Sequence, residues 1–406
     1  MPAIIEFPAI AQEGIEQFGE LFANAPERQH FGEYLTGLLV AERKTVSGIN
    51  REFAQTTDQS CLNRWLTEVD WDAQALNEKR LALLQRHAET RYAPHGVIAV
   101  DNTLIDHDGK HIADVGWFWD HAEQRHKIAH DYLIAHYVCP SGRHYPLEFR
   151  RFVKQAQCEA EGRAFRDHTQ LFQELVDWVV AHDIPGDFTF DCYFSSVENL
   201  NHLQAAGRGY VGDLKFNRKV LWGGRVKKAS EWATQIQPKD RRRVEIGERV
   251  QWYFSKTVRL PGVEHPVRLL ILWDSKTAAE PVKMLVSNRL GWEASRLLRV
   301  YRRRWTGTEL FHRDGKQHLG MADCQLRRSE GQTRHMDLVF VAYSLLVARM
   351  GQGRVRGWAS ALVQTIGEAC RSALSETLAA TIRWAVERAR EDGWSHEKIT
   401  AHLALA

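Results

Sequence analysis

The sequence predicts an α/β core interrupted by a β-rich insertion and bounded by helical regions on either side. Three observations carry that expectation. Between His95 and Ala205, short apolar and β-branched runs alternate with amphipathic stretches in the order strands, helix, strand, helix. From about Gly209 to Asn288 only strand texture is seen. Before residue 92 and after Trp292, apolar residues recur at helical spacing. The division that follows is 1–92 helical, 93–210 with 289–350 as core, 211–288 as insertion, and 351–406 as a helical carboxy-terminal region.

The elements are justified in chain order. Residues 31–39 and 75–87 carry helical patterns, and TVSGINREFAQTTDQSCLNRWLTEV lies between them. This reads as a helix over 46–54, a polar turn at Thr56, Thr57 and Asp58, and a second helix ending near Leu66. Asn63 and Arg64 fall on its exposed side, a helix-turn-helix pattern that suits DNA binding. At His95 strands begin: GVIAVDNTLI, GWFWD, KIAHDYLIAHYV and YPLEFRRFV, bounded by turns such as Asp108-Gly109 and Pro140-Ser141-Gly142. Leu171, Phe172, Leu175, Val176, Val179 and Val180 then mark an amphipathic helix closed by Pro185-Gly186. FTFDCYF is a buried strand that carries Asp191. Ser195 stands three residues before Glu198, the capping-box spacing, which predicts that a helix starts there.

In the insertion, YVGDLKFNRKVLW, RVQWYFSKTVRL, VRLLILWDS and PVKMLVSN read as strands. From Trp292 one helical stretch runs through EASRLLRVYRRRWTGTELFHRDGKQHL, with Leu297, Leu298, Tyr301 and Trp305 on or near one face. Residues 337–349 form an almost wholly apolar helix. The tail from 358 to 406 is helical, and Gly393-Trp394-Ser395 opens its last short helix.

Composition excludes several classes. With 406 residues, 44% hydrophobic and 26% charged, the chain is globular and not disordered. Its longest strongly apolar stretch, 338–348, has 11 residues, against the roughly 20 that a bilayer-spanning helix needs. No secretory signal is read at the amino terminus, so the expected location is the cytoplasm. Six scattered cysteines with no C-x-x-C pair read as reduced thiols.

The net charge of +3 hides a strong polarisation. Residues 208–334 hold 28 Lys and Arg against 13 Asp and Glu, or +15, which leaves 26 basic and 38 acidic residues for the remainder. Lys227, Lys228 and Arg242 belong to basic clusters interleaved with aromatic residues, including Trp222, Trp252, Trp292 and Tyr301. Such a surface neutralises phosphates and stacks on bases, so nucleic acid is the expected partner.

Two motifs are set aside. Gly207 to Gly212 fits G-x-G-x-x-G, but a helix precedes it and a strand follows, the reverse of a dinucleotide site. Seven histidines lie between His107 and His144, with His107/His111 and His126/His130 at i, i+4 spacing. The first pair straddles a turn and the second lies on a strand, where the two residues are far apart. Neither pair reads as a zinc site.

Three acids stand out. Asp101 closes GVIAV, Asp191 lies in FTFDCYF, and Glu309 follows the insertion. A carboxylate in an apolar run needs a partner, because burying it alone is costly. Mg²⁺, bound by a few carboxylates and phosphate oxygens, supplies one, and two such ions suit in-line phosphoryl transfer. Spacing alone does not single these three out.

The ordered set GVIAVDNTLI, FTFDCYF and YRRRWTGTELFHRDGKQHLG resembles the DDE transposases of bacterial insertion sequences, specifically the superfamily with a β-rich insertion and a Tyr-Arg-Glu-Lys signature. The resemblance implies a ribonuclease-H-like core, Mg²⁺ ions that Mn²⁺ replaces, and cut-and-paste movement by a homodimer on double-stranded DNA, from terminal inverted repeats into target DNA. It implies Asp101, Asp191 and Glu309 as catalytic metal ligands. Tyr301, Arg304 and Lys316 match the DNA-contacting signature positions, and Arg303 is their basic neighbour. Trp292 corresponds to a tryptophan that stacks on an everted base. One departure is present: four residues, not three, separate Arg304 from Glu309, and an extra residue turns a helix by about 100°. Gly307 is the expected place for a bulge or break.

Overall fold

Val97–Val100 are buried almost completely, and this short run anchors the core. The computed structural model describes residues 3–109, 111–121, 123–351 and 363–403. Helices α1 (Ala9–Phe18), α2 (Ala25–Val40), α3 (Val46–Arg51), α4 (Gln59–Thr67) and α5 (Ala73–Gln85) come first. Strands β1 (Val97–Asp106), β2 (Gly116–Asp120), β3 (Arg125–Val138) and β4 (His144–Phe152) follow. Then α6 (Gln155–Ala160), α7 (His168–Ala181), β5 (Asp187–Phe190), α8 (Val197–Ala205) and β6 (Tyr210–Asp213) complete the α/β alternation. The β-rich stretch holds β7 (Lys219–Trp222), β8 (Arg225–Lys228), α9 (Ala229–Ala233), β9 (Arg242–Ile246), β10 (Arg249–Val258), β11 (Val267–Trp273) and β12 (Lys283–Ser287). Helices α10 (Ala294–Gly307), α11 (Glu309–His318), α12 (Ser329–Gly351), α13 (Ile366–Glu391) and α14 (His396–Leu403) follow. The fold class is the expected one: a mixed α/β core with helical regions on either side.

The chain divides into two units. One comprises Met1–Arg91, Leu104–His130 and Phe311–Ala406. It is largely helical, and its interior is tied by side-chain hydrogen bonds. Arg80, buried, donates to Ser344 Oγ at 2.9 Å, and Tyr34 Oη meets His335 Nδ1 at 2.7 Å. The expected helix-turn-helix pair forms here as α3 and α4, with Thr45 and Asp58 accepting from the first-turn amides of each helix. No described helix is long and apolar enough to cross a membrane. The tail expectation falls partly on 352–362 and 404–406, outside the described residues.

The other unit comprises Tyr92–Thr103 and Asp131–Leu310 and contains the sheet order β3-β1-β5-β6-β12-β11-β10-β9. Strands β1, β5 and β6 are parallel, and β12 turns the sheet antiparallel from β6 onward. Val211, Leu270, Leu272 and Leu285 form an apolar face on which Leu297 and Leu298 of α10 pack. Each buried leucine there contributes roughly 2 kcal/mol. This packing fixes α10, and with it Tyr301 and Arg304, against the sheet.

Three local readings are corrected. Helix α8 starts one residue later than expected, since Ser196 and not Ser195 accepts from Asn199 N. The Ser195 hydroxyl instead donates to the Asp213 carbonyl. YVGDLKFNRKVLW is two strands, β6 and β7, separated by a turn in which Arg218 N donates to Lys215 O. The stretch after Trp292 is two helices broken at Thr308.

Candidate active site

The parallel register determines the site. Val100 pairs with Phe190, and Phe190 pairs with Gly212. The residues that follow each of them, Asp101, Asp191 and Asp213, therefore stand in a row where the parallel pairing of β1, β5 and β6 stops; β5 and β6 end there, while β1 runs on to Asp106. Neighbouring strands lie roughly 4.8 Å apart, and the carboxyl edge of parallel strands is where α/β sheets bind their ligands. Two of the three acids are the expected ones. Asp213 is an acid that the sequence reading missed, although it ends a short apolar run just as Asp101 does.

Glu309 opens α11 immediately after the break at Thr308. Gly307, the last residue of α10, explains how the chain gets there. A Cβ at this position would lie 2.8 Å from Val138 Cγ2 and 3.0 Å from Ala99 Cβ. Only glycine lets the end of α10 press onto β1 and β3 before the helix restarts. The helical stretch thus breaks beside Gly307, with Thr308 between α10 and α11.

The electrostatics follow from burial. The Asp101 carboxyl is pushed up to about 7: desolvation raises it most, the Arg304 guanidinium opposes the rise, and the Asp191 and Glu309 charges add to it. Burial also raises Asp191, against backbone N–H bonds from Tyr193 and Phe194 and the Arg304 charge, with Asp213 adding to the rise. Arg304 Nη1 is ion-paired with Asp101 Oδ2. Thr308 Oγ1 lies 3.4 Å from the same oxygen and 3.0 Å from the Arg304 carbonyl. Asp213 Oδ2 accepts from Lys283 Nζ at 2.9 Å and from Tyr301 Oη at 3.4 Å. Two cations thus flank the row, one at each end.

The expected DNA-contacting residues are placed as follows. Tyr301, Arg303 and Arg304 lie on α10. The Arg304 guanidinium carbon sits 5.9 Å from the Tyr301 ring centre, while Arg303 donates to the His95 carbonyl at 2.9 Å. Trp292, just ahead of α10, is half-buried, with Arg296 over its ring at 3.8 Å and Arg289 at 5.5 Å. Lys227 and Lys228 are on β8 and Arg242 opens β9; no ion pair joins them to the acids among the described residues. Lys316 lies on α11, in the helical unit, and donates to Leu104 O at 2.8 Å. The structure therefore gathers Asp101, Asp191, Glu309, Arg304 and Tyr301, and adds Asp213, Lys283 and Thr308.

The donor chemistry fits a hard divalent cation. The ligands on offer are carboxylates, and burial together with mutual repulsion penalises their charge, a cost that a cation relieves. In the present arrangement Arg304 meets that need at Asp101. Among the described residues, no group of three His, Cys, Asp or Glu side chains is disposed to hold a metal ion.

Comparisons with known proteins identify the family. No curated protein matches the sequence. Among solved structures, the cryo-EM structure of a piggyBac transposase synaptic complex with hairpin DNA is similar over 97% of this chain and 82% of that one, at 11% identity and a TM-score of 0.49. Residues 17–250 match the DDE superfamily endonuclease family. The matched stretch covers more than half the chain and includes Asp101 and Asp191, ending before Glu309, so the chain belongs to the DDE superfamily endonucleases.

Proposed function

We propose that this endonuclease is a transposase of the bacterial insertion-sequence type. It binds the terminal inverted repeats of its own element as a homodimer, cleaves them, and transfers the 3′ ends to target DNA. The observation that carries the proposal is the pair Asp101 and Asp191, each directly after the last paired residues of the adjoining parallel strands β1 and β5, electrostatically coupled to Glu309, in a DDE superfamily endonuclease. The +15 segment supports the choice of DNA as substrate.

Asp101, Asp191 and Glu309 would hold Mg²⁺, or Mn²⁺ in its place. The metal would supply Lewis-acid activation of a water or 3′-hydroxyl and charge stabilisation at the leaving oxygen. The chain's own residues do the rest. Arg304 neutralises Asp101 until DNA phosphate competes for it. Tyr301 and Lys316 contact the DNA backbone as the signature implies, with Arg303, Lys227, Lys228 and Arg242 adding positive charge, and Trp292 offers an aromatic face. Residues 1–92 act as the DNA-binding domain, 93–210 with 289–350 as the catalytic core, 211–288 as the insertion, and 351–406 as a helical appendage. The protein works in the bacterial cytoplasm, on the nucleoid.

The test is Mg²⁺-dependent nicking of a duplex carrying the element's terminal repeat, with Asp191→Ala and Glu309→Ala as controls. Activity lost in both variants and in EDTA supports the assignment; activity retained in either overturns it. One observation favours a second reading, a catalytically silent DNA-binding repressor or accessory protein. Asp101 is ion-paired with Arg304, and no three-ligand metal cluster is found among the described residues. Specific DNA binding with no metal-dependent cutting would select that reading.

A further inference from the structure

Beside the row of acids lies a cavity of about 420 Å³ that the cutting chemistry does not use. Its walls include Tyr193, Ser196, Lys215, Asn217, Arg218 and Lys219. Cys192, which follows Asp191, and Leu214, which follows Asp213, also line it, so the cavity opens at the carboxyl ends of β5 and β6. It carries three cations, and no carboxylate lines it.

Two details point to an anionic ligand. The Nη2 of Arg218 is buried, and no acceptor among the described residues meets it. A buried guanidinium nitrogen left without an acceptor costs free energy. Arg218 lines the cavity, and a turn of its guanidinium toward an oxyanion held there removes that cost through a charge-assisted hydrogen bond. Tyr193 is 52% exposed although the Phe194 and His168 rings hold it edge-on. A fixed and open aromatic face beside cations is the combination that receives a nucleic-acid strand. A cavity of this size holds about one nucleotide unit and falls within the usual range for ligand sites.

We infer that this cavity is a subsite for the backbone of the DNA strand that runs past Asp191. Arg218 takes a phosphodiester oxygen, Lys215 and Lys219 neutralise the flanking phosphates, and Tyr193 packs against the adjoining sugar or base. The inference rests on the endonuclease acting on DNA and adds a contact outside the carboxylate row. It also gives a reason for the turn at 215–218, which places three cations next to the site instead of extending β6 into β7.

The experiment measures binding of the full-length protein to a fluorescein-labelled duplex and to a single strand by anisotropy, without divalent metal, across about 50 to 200 mM salt. Arg218→Ala should weaken binding by about tenfold and lower the slope of log K against log salt by about 0.9 on duplex, the value for one released phosphate contact. Lys219→Gln should act in the same direction. Arg163→Ala, which removes an exposed cation paired with Glu161, should leave the slope unchanged. In case Arg218→Ala fails to fold, Arg218→Lys and a methylphosphonate scan of the oligonucleotide supply the same readout. Wild-type protein should lose affinity at one neutralised phosphate where the Arg218 variant loses nothing more.

Equal affinity and slope in wild type and the Arg218 variants would overturn the subsite while leaving the proposed function intact. Failure of the wild type to bind any DNA would remove the proposed function as well. Inorganic phosphate and a deoxynucleoside monophosphate form a separate arm. If either raises the melting temperature of wild type and not of Arg218→Ala, while DNA binding is the same in both, the cavity serves a small phosphate and the strand assignment is wrong.

Discussion

Around Lys127 three carboxylates share one cation, whereas at the strand ends a row of acids is flanked by cations, and the pKa shifts run in opposite directions. Lys127 Nζ lies 2.7 Å from Asp106 and 2.9 Å from Asp120, and it also pairs with Glu123. Burial would lower the Lys127 ammonium, but the hydrogen bonds it donates to the three acids override that and raise it. Glu123 is held below the usual carboxylate range by the same bonds, those to Lys127 first and Arg125 second. Asp101 goes the other way because desolvation outweighs its ion pair with Arg304. A cluster in which ion pairing favours the charged forms, as at Lys127 and Glu123, contributes to folding. One whose carboxylates are penalised as ions is poised to take a proton or a cation, and that arrangement is characteristic of functional sites.

The largest effect should come from replacing one charged group of each cluster, Asp101 and Lys127, by a neutral one. Asp101→Asn should reduce metal-dependent nicking by about 1000-fold or more, since it removes a ligand on which the reaction depends. Its metal-free melting midpoint should hold or rise, because a like charge leaves a buried site. Lys127→Met should do the reverse. Removing the cation strands three acids and should cost about 2 kcal/mol, below the 3–5 of a fully buried pair because the partners are partly exposed, while nicking per folded molecule is retained. Nicking assays and melting curves on both variants decide the contrast, and a destabilised Asp101→Asn with unchanged activity would break it.

Dependence on pH sharpens the comparison by a smaller amount. Folded Asp101 keeps its proton up to about pH 7, whereas an unfolded aspartate loses it near pH 4. Between those values the folded state binds more protons, so raising the pH removes stability by up to about 1.4 kcal/mol per unit, with no further loss above pH 7. Metal-free protein should therefore melt lower at pH 7 than at pH 5 by an amount that Asp101→Asn abolishes. A saturating divalent cation should flatten the same curve.

Much of this was legible in the sequence, and what was not has a physical cause. Asp101 and Asp191 could be found because each ends or interrupts an apolar run, where a charge demands a reason. The strands and helices of the core followed from their periodicity. Asp213 has the same signal, but YVGD ran on into LKFNRKVLW, and strand texture without a breaker hid the end of β6. Register was also out of reach: the alignment of Asp101, Asp191 and Asp213 depends on how β1, β5 and β6 pair, and periodicity within a strand says nothing about its neighbour. Ser195 and Ser196 both had cap chemistry, and the choice between them fell to tertiary contact, since Ser195 is drawn to the Asp213 carbonyl. A break near Gly307 was anticipated from residue count, but the close approach of Gly307 to Ala99 and Val138 could not be, because those residues lie on distant strands.

The smallest effect concerns Thr308, the residue at which α10 gives way to α11. Its hydroxyl donates to the Arg304 carbonyl at 3.0 Å and lies within 3.4 Å of the Asp101 carboxylate. Thr308 is fully buried, so Thr308→Val keeps the shape and removes only the hydroxyl. The loss of one buried hydrogen bond should cost about 1 kcal/mol. Because the Arg304 ion pair remains, Asp101 should keep most of its environment and nicking should fall by no more than a few-fold. If the hydroxyl is instead what holds the break, and through it Glu309, the same substitution should reduce nicking as severely as Glu309→Ala with little change in melting. Measuring both quantities on Thr308→Val therefore separates a residue that merely fills the junction from one that aims the third acid.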